Sequence, residues 1–341
     1  MRRPADTDGC KRHGDGNGIV PLVPLSAALS TRALCGVLLA VAASQAPATP
    51  GSPPTPPAVN SPVEPGVLPA RWNTGGPNCL ELPPWQVHEY NPDFYIIRES
   101  GCIHYEKPFL YLIFGRDRAL LEDTGAGNVE TAPFVMDLIA GWAKRNNRTA
   151  PPLIVVHSHS HGDHTAGDRG FKDLPNVHFV AATVAELQKA FGIGTWPSDI
   201  VPIDLGGRII DLIPIPGHDV AGIALYDRRT GILLTGDSVY PGRLYVSADA
   251  FPAFVASHRR LVTFTGDKPV AHVLGTHIEQ MRTPFVDYPR GTVYQPDEHT
   301  LELNRGVLLE LDEVLGRLNG TPERVVLRDV ILSPQPARPP R

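Results

Sequence analysis

The sequence predicts an α/β protein built as a four-layer αββα sandwich. Short apolar runs of strand character alternate with stretches of helical spacing, and they fall into two β-rich series, each interleaved with helices. The 341 residues are 42% apolar and 20% charged, ample for a packed core of that size. Net charge is −5, with acids and bases spread along the chain and no basic tract or basic-aromatic stripe. Nothing in that pattern suggests a nucleic-acid footprint, and the charge itself says little about partners.

The elements justify themselves in order. Residues 1–46 read as a signal segment with a long n-region. Ala33–Ala43 is an apolar run of eleven, too short to span a bilayer, preceded by Arg32 and followed by small residues such as Ala46. Residues 47–70 are proline-rich without apolar periodicity, an extended linker. The folded domain is expected over 71–341, exported and without a membrane span once processed. Cys10 and Cys35 leave with the signal, so Cys79 and Cys102 remain as one pair, expected as a disulfide in an oxidising compartment.

Within the domain, "FYIIRES" (94–100), "FLYLIFG" (109–115) and "RALLEDTG" (118–125) read as consecutive strands, the last two joined by a turn at Gly115–Asp117. Residues 129–145 have helical spacing, with Phe134, Leu138 and Trp142 at i, i+4 and i+8. "LIVVHS" (153–158) is a continuous apolar run, the mark of a strand covered on both faces. The second series comprises a strand at 177–181, a helix at 184–191, a strand at 208–215, and a hairpin of 222–227 with 231–237. A helix at 251–264, a strand at 270–275, a helix at 301–318 and a closing strand at 324–332 complete it.

The chemistry concentrates after the buried strand, in "VVHSHSHGDHTAG" (155–167). Spacing by two brings His159 and His161 to one side of an extended turn, while adjacent Asp163 and His164 can face a second point. Imidazole and carboxylate without thiolate suit zinc, iron or manganese. Gly162 and Gly167 permit the tight backbone such a loop needs.

"HSHGDH" (159–164) resembles the HxHxDH signature of the metallo-β-lactamase fold superfamily. The resemblance continues in order through "LLEDTGAG" (120–127), "IPIPGHDVAGIAL" (213–225), "LLTGDSVY" (233–240) and "HVLGTHIE" (272–279). It implies that fold and a dinuclear site. His159, His161 and His218 would hold one metal, Asp163, His164 and His277 the other, and Asp237 would bridge them. Asp123 would orient a ligand histidine, and His157 would stay outside the donor set. The cofactor implied is two zinc ions, with iron or manganese able to take the same donors.

Such a site implies a hydrolase that uses a metal-bridging hydroxide on an ester, lactone, amide or thioester, with Asp163 relaying a proton. The resemblance also implies that β-lactam-cleaving branches commonly carry cysteine or serine where Asp237 stands. Antibiotic hydrolysis is therefore the lesser reading. An iron dioxygenase of persulfide-dioxygenase type, using His159, His218 and Asp237, is an alternative from another class, as is a binding protein without turnover. Loops at the strand ends supply candidate substrate contacts: His104, Tyr105, Tyr240, Arg243 and Tyr245. The segment 283–299 is expected to drape over the same opening.

Overall fold

The computed structural model describes residues 63–337, except Pro77, Asn78, Leu80, Glu81 and Asn128. The expected signal segment and residues 47–62 of the linker lie outside the described residues.

The first half runs β1 (Trp85–Asn91), β2 (Phe94–Glu99), β3 (Phe109–Phe114), β4 (Ala119–Glu122), α1 (Thr131–Arg145), β5 (Leu153–Val156), α2 (Gly162–Thr165), β6 (Val177–Phe179) and α3 (Val184–Phe191). Its six strands form one sheet in chain order, antiparallel through β4 and parallel across β4, β5 and β6. The second half runs β7 (Val201–Asp204), β8 (Ile209–Pro214), β9 (Ile223–Asp227), β10 (Ile232–Leu234), β11 (Arg243–Ser247), α4 (Phe251–Phe264), β12 (His272–Leu274), β13 (Glu302–Leu303), α5 (Arg305–Leu318), β14 (Val325–Val326) and β15 (Ile331–Gln335). Its main sheet has the order β13-β12-β10-β9-β8-β7, and β11, β15 and β14 form a small third sheet.

Side-chain alternation along each strand builds the layers. Phe94, Ile96, Tyr111, Ile113, Leu120 and Ile154 face inward and meet Ile210, Leu212, Ile223, Leu225, Ile232 and Leu234 of the second sheet. The intervening residues Tyr95, Ile97, Leu112, Leu121 and Val155 face outward against α1. Ile213, Ala224, Tyr226, Leu233 and Val273 do the same against α4 and α5. The result is the expected αββα sandwich. The α1 stripe is rotated by about one residue from the expected one: Val135, Ile139 and Trp142 are buried, and Phe134 and Leu138 only partly. α3 begins on Thr183, whose side chain accepts from the Glu186 amide, and ends on Gly192 in the left-handed conformation.

Several boundaries differ from the sequence reading. The closing strand at 324–332 is two strands, because Leu327 N–H donates to Val330 O and turns the chain back on itself. β13 occupies residues assigned to the last helix, which starts instead after the Asn304 cap. β1, β7 and β11 were not expected. A disulfide joins Cys79 to Cys102, with a Cα–Cα distance of 5.4 Å, as the cysteine count implied. Among the described residues, no helix is long and apolar enough to cross a membrane.

Candidate metal centre

Every candidate donor leaves the carboxyl end of a strand or the loop just beyond it. Asp123 follows β4. His159, His161, Asp163 and His164 follow β5. His218 follows β8, Asp237 follows β10 and His277 follows β12. β4 and β5 are parallel, and β8, β10 and β12 share one direction, so these ends open on the same edge of the sandwich. Close backbone approach brings the halves together. Ile223 N–H donates to Ser158 O at 2.9 Å. Gly236, at φ +51, comes so near that a Cβ there would lie 2.8 Å from the Ser158 Cβ. A larger residue would push Asp237 away from the loop after β5.

Two groups of donors result. His159, His161 and His218 form one, and Asp163, His164, Asp237 and His277 the other, each with its ligand atoms within 4.8 Å of one another. His161 Nδ1 lies 2.9 Å from His159 Nε2 and 3.0 Å from His218 Nε2. Asp163 Oδ2 lies 3.1 Å from His164 Nε2 and 3.2 Å from His277 Nε2. Asp237 faces both groups: Oδ2 is 3.5 Å from His218 Nε2 and 3.8 Å from His159 Nε2, while Oδ1 is 3.3 Å from His277 Nε2 and 3.7 Å from His164 Nε2.

Four imidazoles are fixed from behind, which leaves the Nε2 lone pair of each aimed inward. His218 Nδ1 bonds Tyr245 O at 2.7 Å and His277 Nδ1 bonds Glu106 O at 2.9 Å. His164 Nδ1 bonds Asp123 Oδ2 at 2.8 Å, and His159 Nδ1 bonds Ser158 Oγ at 3.0 Å. Ser158 in turn donates its hydroxyl to Asp123 Oδ2 at 2.8 Å and its amide to Oδ1 at 2.7 Å. Buried Asp123 therefore stands behind one histidine of each group, directly behind His164 and through Ser158 behind His159. Thr276 Oγ1 donates to Asp237 Oδ1, and Ser160 Oγ to Asp219 Oδ2, tying the loops after β5 and β8 together. His157 stays outside the donor set, bonded to Asp168 Oδ1 and Val180 O.

The electrostatics ask for positive charge. Burial resists ionising Asp163, but His164 and His277 outweigh it and hold the carboxylate below its usual range. Burial likewise opposes a proton on His277, yet Asp237 and Asp163 carry its pKa up to about 9. His159 is different: burial and the neighbouring imidazoles hold it well below the usual range, hence neutral and ready to ligate. Two carboxylates and five imidazoles, with no thiolate, fit a pair of divalent cations.

Beside the donors lies a cavity of about 270 Å³. Asp163, Asp237, His161, His218 and His277 form its base, and Tyr105, Tyr240, Arg243 and Tyr245 belong to its walls; His104 does not line it. The Tyr240 hydroxyl is committed to Arg243 O and Glu279, and the Arg243 guanidinium to Glu279, Asp287, Tyr288 O and the Tyr245 hydroxyl. The segment after His277 completes the wall with Pro289, Arg290, Gly291, Thr292 and Gln295. Buried Arg98 grips the far end of that segment through both carboxylate oxygens of Glu298, at 2.6 and 2.9 Å.

The fold and this donor set belong to one class, and the chain is a member of the metallo-beta-lactamase superfamily, which matches it over residues 108–277. It is an enzyme, a hydrolase of that superfamily. Among its relatives, the acyl-coenzyme A thioesterase MBLAC2 of Bos taurus is 26% identical over 227 residues, covering 57% of this chain and 81% of that protein. Hydroxyacylglutathione hydrolase of Cereibacter sphaeroides is 28% identical over 131 residues, covering 37% of this chain and 50% of that protein. A solved metallo-beta-lactamase from Pontibacter korlensis superimposes with a TM-score of 0.46 at 19% identity, covering 68% of this chain and 99% of that one.

Proposed function

We propose that the protein is an exported, dinuclear zinc hydrolase whose substrates are small-molecule thioesters. The observation that carries the reading is Asp237, with one carboxylate oxygen facing each donor group, so that the two groups form one continuous site. A mononuclear oxygenase would leave the group of Asp163, His164 and His277 without a task. When bound, a pair of divalent cations lowers the pKa of water toward ~7 and polarises the acyl oxygen.

The chain supplies the rest. Asp163, at the cavity base, is placed to relay a proton from the attacking water toward the leaving group. A thiol, with a pKa of about 8.5, needs the least help to depart. Thioester hydrolysis therefore asks less of this site than amide cleavage does, and both relatives carry names of acyl-thiol chemistry. The Cys79–Cys102 disulfide supports export.

The test is metal analysis of the purified protein, followed by a panel of thioester, lactone, phosphodiester and β-lactam substrates. Zinc returned to metal-free protein should restore thiol release without oxygen. Turnover that returns only with ferrous iron and consumes oxygen would make it an oxygenase. Faster cleavage of a β-lactam than of any thioester would make it a lactamase.

A further inference from the structure

Three cations line the cavity, and two of them are spent inside the fold. The Lys107 ammonium is buried and donates to Tyr105 O, Thr292 O and Val293 O at 2.9, 3.1 and 3.4 Å. Arg243 is clamped by two carboxylates, a carbonyl and a phenol. Arg290 is different. It is exposed at the cavity wall, and no carboxylate lies within salt-bridge distance of it among the described residues. Its side chain lies beside Tyr105, whose hydroxyl donates to Glu106 Oε1 at 2.6 Å. Glu106 attracts the guanidinium from beyond salt-bridge distance and is not paired with it.

A guanidinium presents a planar fork that matches a carboxylate or phosphate through two parallel N–H bonds. We propose that Arg290 is the specificity-determining residue of this site and pairs with an anionic group of the substrate, a carboxylate or a phosphate. The inference rests on the thioesterase reading for the identity of the substrate, and on the cavity alone for the anion. It also points to a residue thirteen positions beyond His277 in place of Arg243, one of the substrate contacts the sequence offered.

Two measurements on the zinc-loaded full chain test this. The first compares thiol release from acetyl-coenzyme A and S-acetylglutathione with release from neutral S-acetyl-N-acetylcysteamine. Arg290→Ala should lower the anionic-to-neutral ratio of kcat/KM on the order of tenfold, mainly through KM, with Arg290→Lys retaining part of it. Added salt should shrink the wild-type ratio in the same direction. An unchanged ratio in Arg290→Ala, with thioesters still cleaved, overturns the role of Arg290 and leaves the thioesterase reading intact.

The second measurement is calorimetry with desulfo-coenzyme A and S-methylglutathione, neither of which can react. Weaker binding to Arg290→Ala supports the anion contact even if wild type cleaves no thioester, a result that would overturn only the thioesterase reading. Equal binding to both proteins overturns the inference. Which probe responds identifies the anion as phosphate or carboxylate, and thermal melting confirms that the variant is folded.

Discussion

Asp123 and Ser158 offer the sharpest test of how the donor groups are held. Asp123→Asn keeps one oxygen to accept from the Ser158 amide and keeps a residue that tolerates the observed φ of +68. Its new NH₂ group cannot accept from His164 Nδ1–H, so the imidazole must shift its proton to Nε2, the atom that faces Asp163 and Asp237. Losing such an orienting partner typically costs 10- to 100-fold in metal affinity, or about 1.4–2.8 kcal/mol. The group of His164 should bear that full loss. The group of His159 is reached only through the Ser158 hydroxyl and should weaken less. Ser158→Ala should invert the pattern, loosening His159 while His164 keeps its direct carboxylate. Chelator competition resolving the first and second zinc equivalents reads both outcomes. Equal weakening of both equivalents in both variants would refute the division of labour and leave only a general loss of structure.

Asp237→Ala removes the oxygen facing each group and should abolish both tight zinc equivalents and thiol release, measured by metal analysis and assay. Metal affinity should rise with pH. His277, whose pKa lies near 9, must lose a proton to ligate, so apparent affinity in chelator titrations should fall as pH drops from about 9 toward 7. Replacing Cys79 and Cys102 by serine opens a loop of 23-residue separation and should cost roughly 3 kcal/mol, read from denaturant midpoints. Glu298→Ala strands buried Arg98 and should cost about 3–5 kcal/mol of stability by the same measurement.

What could be read from the chain, and what could not, follows from where each signal resides. The donors of the loop after β5 are adjacent in sequence, and β2, β3 and β5 announce themselves because both faces are covered and every residue is apolar or buried. β11 does not show as a strand in the sequence because "RLYVS" acquires its strand character from β15, a partner nearly ninety residues downstream. β7 contains Pro202 and pairs at the edge of its sheet, so its period was hidden. Ser158, Asp219 and Thr276 were missed for another reason. Each is an ordinary small polar residue whose task appears only once a loop distant in sequence is brought against it. The carbonyls of Glu106 and Tyr245, which orient two of the donors, carry no side-chain signature at all.

The wall formed by the segment after His277 is gripped largely by its backbone. Arg243 holds Tyr288 O, and Lys107 holds Thr292 O and Val293 O, so the anchors contact atoms that every amino acid possesses. Between them, Arg290 and Thr292 line the substrate space, and the Thr292 hydroxyl bonds only Pro289 O of its own segment. Diversification is therefore cheap here. A library that varies positions 290 and 292 while keeping Lys107, Arg243 and Gly291, at φ +84, should yield folded enzymes of altered substrate range. The same arrangement lets a lineage change its diet by point mutation, with the metal donors and the sandwich beneath them left untouched.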